Sequence, residues 1–126
     1  MTAPAPRKIV FAPDLIGAAF IDPTARRVLE AWRDGKFVVV MNRELIALHL
    51  RVLNRVVLAP ELIKRWAYWL SSPEKTVFID KQFGPAPSPV NLCEDLAKAT
   101  QADAIICWKR PSERSGTQWA LAQDYH

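Results

Sequence analysis

The sequence predicts an α/β domain of three layers, α/β/α, around a central and mainly parallel sheet. Three observations carry that prediction. Short β-branched runs alternate with longer stretches of helical periodicity, the pattern of βαβ units with helices on both faces of a sheet. The run "KFVVVM" (36–41) is apolar without alternation, as expected of a strand covered on both faces. Helix starts and stops fall where the periodicity changes.

Taken in order, residues 1–6 ("MTAPAP") read as a flexible lead, and 7–126 as a single domain. "KIVF" (8–11) is a strand that ends abruptly at Ala12-Pro13-Asp14. "DPTARRVLEAWRDG" (22–35) is a helix capped by Asp22, with Pro23 in its first turn and Gly35 as its stop. After the strand "KFVVVM" comes the helix "NRELIALHLRVLNRVV" (42–57), capped by Asn42. The helix "PELIKRWAYWLSS" (60–72) places Leu62, Trp66 and Trp69 on one face. A strand "KTVFID" (75–80), a proline-rich loop (81–90), a helix from Asn91 to Gln101 and a strand "DAIICWK" (103–109) follow. The tail is a polar loop with a short last strand near Trp119–Leu121.

A chain of 126 residues, half of them hydrophobic, is large enough for one core. No apolar run reaches the length of a membrane span, and Pro13 and Asp14 interrupt the stretch that resembles a signal peptide. The expectation is a cytoplasmic protein without a membrane partner. The net charge of +4 permits a polyanionic ligand but forms no polybasic tract. Cys93 and Cys107 lie far apart, and neither has a Cys or His at ligand spacing, so both read as packing residues and not as a zinc site. His49 falls beside Ile46 and Leu53 and reads as a core-edge residue. The four glycines are scattered, which removes dinucleotide and phosphate-loop readings.

Four stretches carry a resemblance to a known family. "IVFAPDLIGAAF" stands as a strand, a turn and a hydrophobic helix start. "LEAWRDGKFVVVMNRELIALHLRVLNR" combines helix, Gly-Lys-Phe, buried strand and leucine-rich helix. "NLCEDLAKATQADAIICWK" gives a late helix and a strand opened by Ala-Asp, and "WALAQDY" a closing strand. In this order they resemble the PIN-domain ribonucleases, especially the small bacterial members of toxin–antitoxin pairs. The resemblance implies a PIN-like fold and metal-dependent phosphodiester hydrolysis. In that family, carboxylates from separate elements gather at the carboxyl edge of the sheet and hold Mg²⁺ or Mn²⁺.

At the positions that resemblance assigns to metal-binding acids, this chain carries Ala12, Leu48, Asn91 and Lys109. Removing the acids removes the charge that draws a divalent cation, and Lys109 opposes binding directly. The implied protein is therefore degenerate: no catalytic residue, metal or cofactor is expected. Asp14 reads as the cap of the helix that follows, or as the last remnant of the site. A remodelled Mg/Mn-dependent ribonuclease would draw on Asp14, Asn91, Glu94 and Asp95; the adopted reading of Glu94 and Asp95 is helix-start acids favoured by the macrodipole. Asp103 is read as structural. Leu48 lies on the stripe of Glu44, Arg51 and Arg55, where it either fills the old cleft or meets a partner.

Arg43, Trp108, Lys109, Arg110 and Arg114 form the candidate nucleic-acid surface, cations for phosphate with an aromatic for a base. The functional expectation is a non-catalytic module that binds single-stranded RNA or DNA, or another protein. The alternatives are the divergent ribonuclease and a structural partner protein. The resemblance implies an antitoxin-like partner, and the tryptophan-rich helix, with Tyr68 beside Trp66 and Trp69, suggests a homodimer contact.

Overall fold

The computed structural model describes residues 7–19, 21–56, 60–83, 88–109 and 119–122. The expected lead at 1–6, the centre of the proline-rich loop, the side chain of Leu62, and Arg110 and Arg114 lie outside the described residues. Within them the chain runs β1 (Arg7–Phe11), α1 (Pro13–Ala18), α2 (Pro23–Arg33), β2 (Phe37–Met41), α3 (Arg43–Val56), α4 (Pro60–Ser71), β3 (Thr76–Phe78), α5 (Pro89–Thr100), β4 (Ala104–Cys107) and β5 (Trp119–Leu121). The strands form one sheet in the order β3-β2-β1-β4-β5, parallel at every pairing. Helices flank it, giving the three-layer α/β/α architecture expected from the sequence, with a sheet that is parallel throughout.

The continuous apolar runs owe their composition to position. β1 is the central strand, and its Ile9, Val10 and Phe11 are fully buried, as are Val39, Val40 and Met41 of β2 and Ile105 and Ile106 of β4. Trp32 of α2 joins the layers. Its ring meets Phe11 edge-on at 5.5 Å and Trp69 of α4 at 5.4 Å, while its indole N–H donates to the Lys75 carbonyl at 2.8 Å. Trp66 is buried as its spacing on α4 predicts, Trp69 is half-buried, and Tyr68 points outward with 70% of its surface exposed.

Local signals act as read for two helices. Asp22 accepts from the Thr24 amide at 2.8 Å at the start of α2, and Gly35 takes the left-handed φ of 79° that ends it. Asn42 caps α3 by accepting from the Leu45 amide at 2.8 Å, and its NH₂ donates to the Lys81 carbonyl at 2.9 Å. α5 starts earlier than expected: Ser88 is the cap, accepting from the Asn91 amide at 3.1 Å, and Pro89 opens the first turn. Proline signals both loops and helix starts, and here the helix prevails.

Two strands are shorter than their apolar runs. β3 ends at Phe78 because its neighbour β2 ends at Met41, and the Ile79 amide makes the closing bond to the Met41 carbonyl. β4 ends at Cys107 because the next amides are taken by a side chain, described below. Among the described residues, no helix is long and apolar enough to cross a membrane.

Asn42→Ala removes a buried cap and the bond to Lys81 together. The expected loss is about 2 kcal/mol of unfolding free energy, read as a lower urea midpoint with an unchanged denaturant slope.

Candidate functional site

The sheet order reverses between β1 and β4. From β1 the chain adds β2 and β3 on one side, then crosses to place β4 and β5 on the other. The carboxyl ends of β1 and β4 therefore flank a topological switch point, where open α/β sheets place their sites. Ala12 lies here, fully in the core, with its amide bonded to the Ile106 carbonyl at 2.9 Å.

Asp14 spans the switch point. It is not the cap of α1: Ala12 holds that position with no side-chain bond, and Asp14 is the second helical residue after Pro13. Its carboxylate instead accepts from two consecutive main-chain amides, Trp108 N at 3.2 Å on one oxygen and Lys109 N at 3.0 Å on the other. These are the amides that a longer β4 would have used. The bond is charge-assisted and closes a contact between residues 94 and 95 positions apart.

A second acid is tied at the same edge. Glu94, half-buried on α5, accepts from the Trp119 indole of β5 at 3.0 Å. Cys93, next to Glu94 on α5, is fully buried. Burial first, then the charges of Asp14, Cys107 and Glu94, push its thiol far above the ordinary range, so it is held as the unreactive neutral form. Asn91 sits exposed in the first turn of α5 and Asp95 is half-buried one turn on. Among the described residues no group of three or more His, Cys, Asp or Glu is arranged to hold a metal ion.

The other candidate positions spread along the same edge. Arg43 is the first residue of α3, exposed beyond the end of β2, about 10 Å from the β4 end by two strand spacings. Leu48 is half-buried against the core, while Glu44 on its stripe accepts from the Phe83 amide at 2.7 Å. Asp103 stands at the opposite edge, where it accepts from the Lys8 amide at 2.9 Å and fixes the start of the β1–β4 pairing. His49 is not at the core edge but fully enclosed, because the last carbonyl of β1, Phe11 O, needs a donor and its Nε2 supplies one at 2.9 Å.

Beyond the Asp14 clamp, Trp108 and Lys109 both face solvent, Trp108 with 41% of its surface exposed. They line a cavity of about 380 Å³ with Leu121, Ala122 and Thr24. A larger groove of about 520 Å³ runs between α1, α2 and α4; Ile16, Leu29, Trp66 and Trp69 supply its apolar surface, and Arg26 and Arg65 are among its polar lining. Nothing along the chain signals Thr24 beside Trp108, or Trp119 bonded to Glu94. Both pairings join residues far apart in the chain, and only chain crossing brings them together. Comparison of the chain with family models, with curated proteins and with solved structures finds no match in any of the three.

Asp14→Ala frees the two amides it clamps. Exchange of the Trp108 and Lys109 amides with solvent is expected to accelerate while the Ile105 and Ile106 amides stay protected. Global stability should fall by about 1 kcal/mol, since the carboxylate is exposed.

Proposed function

We propose that the chain is a PIN-like domain whose acidic site has been replaced, acting as a non-catalytic module that binds single-stranded nucleic acid at the carboxyl edge of its sheet. Three of the four substituted positions support the PIN-like reading: Ala12 follows β1, Asn91 lies in the first turn of α5 and Lys109 follows β4, all on the carboxyl side of the sheet. The observation that carries the binding reading is the exposed Trp108-Lys109 pair beside its cavity, held in place by Asp14. An indole stacks a base and an ammonium meets a phosphate, without needing a metal. Asp14 and Glu94, the acids a remodelled nuclease would recruit, already serve as acceptors within the fold.

Titrating labelled single-stranded RNA and DNA against the protein by fluorescence anisotropy tests this. Affinity should fall steeply with salt, Lys109→Ala should lower the salt slope by about one, and Trp108→Ala should weaken binding about tenfold or more. The oligonucleotide should remain intact with Mn²⁺ or Mg²⁺ present. Metal-dependent cleavage that Asp14→Asn abolishes would replace this reading with the divergent ribonuclease.

The groove between α1, α2 and α4 favours a second reading, docking of a protein, whether an antitoxin-like partner or a second copy. Its apolar floor and the arginines Arg26 and Arg65 suit an apolar segment with acidic flanks. Self-association measured by sedimentation, lost in Arg65→Glu within the groove and unaffected by nucleic acid, would identify the second copy as the occupant.

A further inference from the structure

His49 and Trp66 make a buried ring contact, with centroids 5.8 Å apart and planes tilted by 45°. His49 is fully enclosed and Trp66 is 4% exposed. The Phe11 carbonyl can only accept, so His49 carries its proton on Nε2 and leaves Nδ1 as a bare acceptor. The Trp66 indole nitrogen can only donate. These two atoms, His49 Nδ1 and Trp66 Nε1, are the buried side-chain nitrogens that find no partner among the described residues. A donor and an acceptor thus lie unpaired in one contact, on two different helices.

The two helices differ in how they are held. His49 is anchored to the end of the central strand through Phe11, whereas α4 meets the sheet chiefly at the edge strand β3. Trp66 also forms part of the wall of the groove between α1, α2 and α4.

We infer that the His49–Trp66 contact is an acid-released latch: the uncharged His49 ring packs on Trp66 and keeps α4 seated, and protonation at Nδ1 puts a charge and a second unpaired donor into that enclosed contact, unseats α4 and opens the groove it walls. Proton balance is simple, with one proton taken from solvent by Nδ1 and none leaving Nε2. Burial holds the imidazole down to about 4, with the Phe11 carbonyl a smaller opposing influence. No charge acts on it resolvably from the surrounding elements: not Asp14 of α1, nor Arg43, Glu44, Arg51 and Arg55 of α3, nor Glu61, Lys64 and Arg65 of α4, nor Glu94, Asp95 and Lys98 of α5. Because the seated form titrates below the free imidazole value of about 6.5, the latch is fully closed above pH 6.5. It weakens as pH falls toward 4, where the penalty saturates.

Amide exchange followed from pH 7.5 to 4, corrected for intrinsic rates, tests the latch on the intact chain. Protection of the α4 amides (60–71) should fall by about tenfold per pH unit below 6.5, while the β1 and β4 amides hold. His49→Gln supplies a donor to Phe11 and a neutral acceptor to Trp66, and should leave α4 protection flat over the same range. A Gln variant that keeps the acid dependence, or a wild type that loses α4 and β1 together, overturns the proposal. The imidazole of the unmodified protein gives an independent reading: its proton resonance should titrate near 4 in step with α4 opening, and a midpoint near 6.5 would equally overturn it.

Discussion

The carboxyl end of β1 is the constraint around which this molecule is organised. A central strand that stops inside the core leaves main-chain polar groups where water cannot reach them, and each needs a partner. The chain supplies the partners from three directions. The Ala12 amide continues the ladder to Ile106, the Phe11 carbonyl accepts from His49, and Asp14 turns back to hold the amides of Trp108 and Lys109. Those bonds fix α1, α3 and the end of β4 with respect to one another, and thereby the shape of the edge.

The same edge sets its apolar, basic and acidic residues to different uses. Alanine at the strand end is buried, leucine at position 48 packs against the core, and lysine at position 109 faces solvent. The carboxylates of Asp14 and Glu94 are occupied with hydrogen bonds to main-chain amides and to an indole. An edge so arranged offers positive charge and an aromatic face, which suits a polyanion better than it suits a divalent cation. The arginine-lined groove between α1, α2 and α4 is a chemically different surface, and His49 links the two, bonded to β1 and in tilted ring contact with Trp66.

Much of the local structure was legible because it depends on neighbours in sequence. Asp22, Pro23 and Gly35 bound α2 through bonds and dihedrals within a few residues, and Asn42 caps α3 in the same way. α5 starts two residues before the helix the sequence suggests, because Pro89 is compatible with both a loop and a first helical turn and only the Ser88 bond decides. β3 and β4 likewise end before their apolar runs do. A strand stops where its partner stops or where a side chain takes its amides, and neither event is written in the strand itself.

By itself, then, the sequence determined the alternation of elements, hence a parallel α/β sheet with two-sided burial of its central strands, because apolar periodicity and helix caps are short-range quantities. Only the tertiary structure decided what the remaining polar residues do. Asp14 reads as a helix cap along the chain and acts as a clamp across the switch point, Glu94 reads as a solvated acid and holds Trp119, and His49 reads as peripheral and closes the central strand. In each case the partner lies 25 or more positions away. A hydrogen bond over that separation is set by how the chain crosses the sheet, which no local pattern encodes.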